Sequence, residues 1–202
     1  MRSLAALALA ALFAGPLTAQ GTPPRFGIDG GLLYATVDGS DFARLDAGVG
    51  FQVQGRLILR GFSVGAGFVR TSHGVESITE NLVITGFLLE PRYTFPTTGT
   101  LHPFLVARLG RLNQSLKANV PGFGTVDGEG PGNVFGAGGG VAFALAPQVE
   151  LNVAATYNKL TFGDVTVNGS KDSDSATNGS SVTLQVGLAY VFGKAQAASR
   201  LR

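Results

Sequence analysis

From Phe26 onward the chain alternates large apolar residues with small or polar ones, and Val182–Phe192 shows the pattern most plainly. Leu184, Val186, Leu188, Tyr190 and Phe192 fall on one face, while Gln185, Gly187, Ala189 and Val191 fall on the other. A period of two is that of a β-strand. Seven earlier segments behave alike: Phe26–Thr36, Ala47–Leu59, Phe62–Arg70, Leu82–Phe95, Leu101–Leu116, Val134–Leu145 and Gln148–Phe162. Each is close to the roughly ten residues with which a tilted strand crosses a bilayer. The bulky faces therefore read as lipid-facing.

The charges fix which face is which. An arginine on the lipid face near mid-membrane costs about 2–4 kcal/mol, so Arg56 must point into a lumen with Gln52 and Gln54, leaving Phe51, Val53, Leu57 and Leu59 outside. Keeping Glu90 and Arg92 inside sends Val83, Phe87 and Leu89 out, and an inward Arg108 sends Leu105, Ala107 and Leu109 out. The inner face of Val134–Leu145 is then Gly136, Gly138, Gly140, Ala142 and Ala144, which leaves room for bulky neighbours. A soluble lipocalin-type barrel is the alternative, but it places its large residues inside and its polar ones outside.

Connections alternate in length. Val37–Asp46, Thr71–Asn81, Lys117–Gly132 and Gly163–Ser181 are long, whereas Arg60-Gly61, Pro96–Thr100 and Ala146-Pro147 are short. Short periplasmic turns with longer extracellular loops are the habit of transmembrane barrels, with an even strand count and both barrel ends in the periplasm. The predicted fold is all-β: an eight-stranded antiparallel transmembrane β-barrel.

Composition adds three things. The mean hydropathy of +0.25 comes without any later run that approaches the roughly 18 apolar residues of a membrane helix, so strands must account for it. Met1–Ala19 carries one early charge, Arg2, then apolar Leu4–Ala14, a Gly15-Pro16 break and small residues ending at Ala19. It is too short for a comfortable anchor and reads as a secretory signal peptide cut before Gln20. The division is thus 1–19 signal peptide, 20–192 barrel and 193–202 polar tail. The chain has no cysteine, so disulfides contribute nothing, and a net charge of +2 without a Lys/Arg run argues against nucleic acid.

Across the mature chain the sequence resembles the small OmpA/OmpX-type proteins of the outer membrane protein β-barrel domain group. His102-Pro103-Phe104 with Gly110, and Gly138–Ala144 followed by a Pro turn and Val149–Tyr157, are similar to recurring segments of that group. Gln185-x-Gly187-x-x-Tyr190-x-Phe192 resembles its closing-strand assembly signal, although ten residues follow it here. The resemblance implies the outer membrane of a diderm bacterium and recognition by the barrel-assembly machinery. It does not carry one function.

Candidate chemistry falls into several groups. Asp29, Arg56, Glu90, Arg92, Arg108 and Glu150 map to the periplasmic half of the lumen, three acids and three bases, and are expected to form an ion-pair network that closes it. A charged pore constriction is the alternative. Arg70, Arg111 and Lys159, with Lys117 slightly beyond, lie on outward parity near the extracellular rim, where they meet lipopolysaccharide phosphates or snorkel. Ser72, His73 and Glu76 offer the residue types of a hydrolase, but adjacent strand positions face opposite ways. His102, at the periplasmic edge, has no serine or carboxylate neighbour in sequence. Asp172, Asp174 and Asn178 lack the spacing of an EF-hand loop. Asn168-Gly169 and Asn178-Gly179 read as turns, and Gly136–Gly140 is followed by no helix and is no phosphate loop. The expected role is structural or interactive, through the extracellular loops, with neither catalysis nor a cofactor or metal. A narrow channel or lateral passage for a small hydrophobic molecule, with Ile84, Val69 and Leu112 as an apolar pocket above the charged layer, is the second reading; a lipid-modifying enzyme is the third.

Overall fold

The computed structural model describes residues 23–76, 79–120, 124–171 and 176–192. The segments read as signal peptide and polar tail, with Asp172 and Asp174, lie outside them. The main strands are β1 (Arg25–Asp38), β2 (Gly48–Leu59), β3 (Phe62–Gly74), β4 (Asn81–Thr94), β5 (Leu101–Val120), β6 (Gly124–Ala146) and β7 (Val149–Phe162). The two-residue β8 (Thr166–Val167) and β9 (Ser170–Lys171) precede the last long strand, β10 (Thr177–Val191). Antiparallel pairing runs β5-β4-β3-β2-β1-β10-β7-β6, and a β5–β6 ladder closes the ring of eight. The short hairpin β8–β9 joins the extracellular end of β6.

Side chains alternate through the wall as the sequence pattern requires. Phe26, Leu32, Phe51, Phe87, Leu105, Phe135, Tyr157 and Leu184 are exposed on the outer surface, while Asp29, Gln52, Arg56, Glu90 and Asn152 are buried inside. Phe51, Phe68 and Phe87 form a cross-strand row on the outside, with ring centroids 6.2 and 5.8 Å apart. Tyr93–Phe95 and Tyr190–Phe192, each at 5.1 Å, mark the periplasmic edge in the manner of an aromatic girdle.

Three connections differ from expectation, Gly163–Ser181 because it contains β8, β9 and the start of β10. Lys117–Gly132, read from its glycines and proline as a loop, is mostly strand: β5 and β6 pair continuously from Leu101↔Phe143 to Val120↔Gly124. The reason is that its glycines alternate with polar residues rather than clustering. Gly128 and Gly130 face inward while Asp127 and Glu129 face outward. The first loop is also not merely polar. Ser40–Phe42 forms a 3-10 turn, and Phe42 folds back to meet Phe162 edge-on at 6.0 Å, both rings buried. A bridge between Leu45 and Val75, with Asp46 N donating to Gly74 O at 2.9 Å, pins this loop to β3. Asn168 and Gly169 both have positive φ, 48° and 83°, and make the two-residue turn between β8 and β9 that their sequence predicts.

Candidate functional site

The lumen is filled in layers. On the periplasmic side Phe104, Val106, Ala142 and Ala154 form a small apolar cluster, with the Arg92 guanidinium 3.9 Å above the Phe104 ring. The neighbouring β6 wall is made of glycine because there is no room for more. A Cβ at Gly140 would lie 2.7 Å from Phe104 Cζ.

Above this cluster come the charges. Arg56 Nε donates to Asp29 Oδ2 at 2.7 Å, with its Nη2 2.5 Å from the same oxygen, and Arg56 Nη1 donates to Ser63 Oγ at 3.2 Å. Gln54 Nε2 donates to Asp29 Oδ2 at 3.1 Å. On the other side, Arg108 Nε and Nη2 reach Glu90 Oε1 at 2.8 and 2.7 Å. Gln52 bridges them, donating to Glu90 Oε2 at 2.8 Å and accepting from Arg108 Nη2 at 3.3 Å. Buried charges of this kind persist when paired and hydrogen-bonded. The six expected charges do not form one network. Arg92 donates instead to Asn152 Oδ1 at 3.3 Å, and half-buried Glu150 makes no ion pair among the described residues.

An apolar layer follows, built from Leu33, Val69, Ile84, Leu88, Leu112, Val134 and Leu160 and capped by Phe42 and Phe162. Its cavity of about 50 Å³ has room for a few waters but not for a ligand. Asn158 Nδ2 lines it and hydrogen-bonds Ser181 Oγ and Thr183 Oγ1, both at 3.2 Å. His73 also borders the cavity at 1% exposure, with Nε2 3.1 Å from Thr71 Oγ1 and Nδ1 3.2 Å from Asp46 O. Ser72 alternates to the other face and Glu76 is exposed, so the three residues do not assemble. Asn178-Gly179 is not the turn that its sequence predicts but lies within β10, where Asn178 pairs with Thr161 and Gly179 with Leu160. Among the described residues no cluster of metal-ligating side chains occurs.

Arg70, Arg111 and Lys159 are exposed on alternate strands β3, β5 and β7. Arg111 donates to Asn133 Oδ1 at 3.4 Å. In the closing strand Gln185 and Gly187 face the lumen and Tyr190 and Phe192 face out. Phe192 N donates to Phe26 O at 2.7 Å and Tyr190 Oη to Gln148 Oε1 at 3.0 Å, which ties the end of the barrel to β1 and to the turn before β7. Sequence reasoning missed Gln52, Gln54 and Ser63 as linkers of the charges, and Phe42 as a lid. The inward parity of the first three was legible, but nothing in the polar first loop marked Phe42 as buried.

No curated protein matches the chain. Among solved structures it is similar to Neisserial surface protein A (NspA), at a TM-score of 0.66 and 18% identity over 85% of this chain and 100% of that one. A major outer membrane protein from Thermus thermophilus aligns at a TM-score of 0.55 and 14% identity, covering 85% of this chain and 100% of the other. At such identities the likeness is one of fold. Residues 4–192 match the family described as outer membrane protein beta-barrel domain. The chain belongs to that family, and its place is the outer membrane.

Proposed function

We propose that the protein is a closed, non-enzymatic barrel that acts through its extracellular end, in a structural or interaction role. The observation that carries this reading is the filled lumen: paired charges, then an apolar layer, then the Phe42–Phe162 lid. The stacked layers disfavour an axial channel for a small hydrophobic molecule, and buried His73 has no serine or carboxylate in hydrogen-bonding reach among the described residues. In planar bilayers the purified protein is expected to give no stable conductance steps; large, long-lived steps would overturn the closed reading. Lipid mass spectra of membranes with and without the protein should be identical, and a new hydrolysed or acylated lipid would make it an enzyme.

Two partners accompany this role. Arg70, Arg111 and Lys159 stand outward at the rim, where each cation gains about 1 kcal/mol from anionic headgroups. Replacing all three by Ala should lower the unfolding midpoint in lipopolysaccharide-containing vesicles and leave it unchanged in phosphatidylcholine. Equal loss in both would mean simple snorkelling. Gln185, Gly187, Tyr190 and Phe192 serve the assembly machinery: Phe192→Ala should reduce the amount of folded protein in cells several-fold while refolding in detergent is unaffected. An equal defect in both settings would assign Phe192 to stability alone.

A further inference from the structure

Along the β5–β6 hairpin the polarity of the wall inverts at the rim. Below it the outer residues are Leu105, Leu109 and Phe135; above it they are Asn113, Lys117, Asp127 and Glu129, with Lys117 Nζ 2.9 Å from Asp127 Oδ2. The inner face does the opposite. Above the charged layer of the lumen it presents Leu116, Ala118 and Val126, and these join Leu45, Val75, Leu82, Val165 and Val167 around a cup of about 340 Å³ floored by Phe42. Water-exposed walls that are charged outside and apolar inside are those of a ligand-binding barrel, and the volume lies within the range of small-molecule sites.

The cup's polar groups define what it takes. No charged side chain lines it among the described residues; its polar members are Gln114 and Thr177. Gln114 is only 8% exposed and lines the cup, and Thr177 Oγ1 is buried with no partner among the described residues. A buried hydroxyl left unpaired in an apolar wall, as that of Thr177 is, is costly and is normally satisfied. The two residues stand on β5 and β10, and glycines line the wall beside them: Gly130 faces Gln114 Nε2, and a Cβ there would come within 2.9 Å of it. Gly128 leaves open space in the same wall, its nearest side-chain atom being Val165 Cγ1 at 3.7 Å from an added Cβ.

We propose that this cup binds a small uncharged amphiphile, a mainly apolar molecule carrying a neutral oxygen function such as a ketone or alcohol, which Gln114 and Thr177 satisfy. The proposal rests on the reading that the barrel acts through its extracellular end. The test is an NMR titration of the folded protein in lipid nanodiscs with decan-2-one and, separately, with decanoate. The ketone should give saturable shifts at the Gln114 side-chain amide, Val126 and Thr177. Decanoate should bind at least about tenfold more weakly, since its charge finds no partner in the cup among the described residues. Thr177→Val and Gln114→Leu should each weaken the ketone by about threefold to tenfold, the worth of one hydrogen bond. Gly128→Leu, which fills the cup, should abolish binding.

Shifts confined to lipid-facing residues such as Leu184 and Val186, unchanged in the three variants, would show partition into the membrane only and overturn the proposal. So would decanoate binding as tightly as the ketone. Thr177→Val and Gln114→Leu keep the test decisive if Gly128→Leu does not fold. Failure here alongside a silent bilayer recording removes the cup but leaves the closed barrel. Ketone binding alongside conductance steps does the reverse.

Discussion

Glu90→Ala is expected to lower barrel stability by about 3–5 kcal/mol, the usual loss when one member of a buried ion pair is removed. Glu90 is the sole carboxylate that Arg108 reaches among the described residues, both groups are almost fully buried, and Gln52 loses its acceptor in the same step. The guanidinium would then lie unpaired in a lumen that already contains Arg92 and Arg56. Urea titration of the protein in vesicles, followed by the gel mobility of folded and unfolded forms, would measure it. The companion experiment is Glu90→Leu with Arg108→Met. Replacing both charges by apolar groups of similar size is often neutral or stabilising, so the double variant should recover most of the loss. If the single and double variants are equally unstable, the pair is not what holds these strands.

Gly138→Ala should be among the most damaging single-methyl changes in the barrel wall. Gly138 faces inward on β6 opposite Thr156, and an added Cβ would collide with the carbonyl oxygen of Ala155 and lie 2.7 Å from Thr156 Cα. These are backbone atoms of β7, so no side-chain rotation relieves the contact, and the strand itself must move. Overpacking of this kind costs about 1–3 kcal/mol or more. The expected readout is a sharp fall in the fraction of protein that becomes heat-modifiable after refolding. Gly128→Ala is the control, since its Cβ meets Val165 only at ordinary contact distance. Equal folding of the two variants would mean that β6 and β7 are less tightly apposed than the register implies.

Much of this was legible in the chain, for physical reasons that differ from place to place. Strand parity followed from the cost of putting Arg56 or Glu90 against lipid, and the structure buries both. The partner of each charge was not legible. Asp29 meets Arg56 on the adjacent strand, and Glu90 meets Arg108, because the stagger of neighbouring strands brings those side chains level. A periodicity of two carries no information about stagger. Arg92 shows the limit well, since its acceptor is the amide of Asn152 on a strand distant in sequence. The extension of β5 and β6 was hidden by composition, as Gly and Pro announce turns even where they alternate like a strand. Phe42 was hidden by its context, one aromatic residue in a polar loop.

The length of the β5–β6 hairpin bears on how the chain enters the membrane. At about 3.3 Å per residue the 20 residues of β5 reach well beyond the roughly 25 Å apolar band. Its outer polar side chains must therefore be carried across hydrocarbon during biogenesis. A free strand would also drag bare amides through oil, at several kcal/mol each. Because β5 and β6 are mutually laddered from Leu101↔Phe143 to Val120↔Gly124, their facing amides and carbonyls travel already satisfied, and Lys117 travels with its charge matched by Asp127. Translocation of a pre-zipped hairpin, ahead of ring closure, is the low-cost route that this pairing makes available.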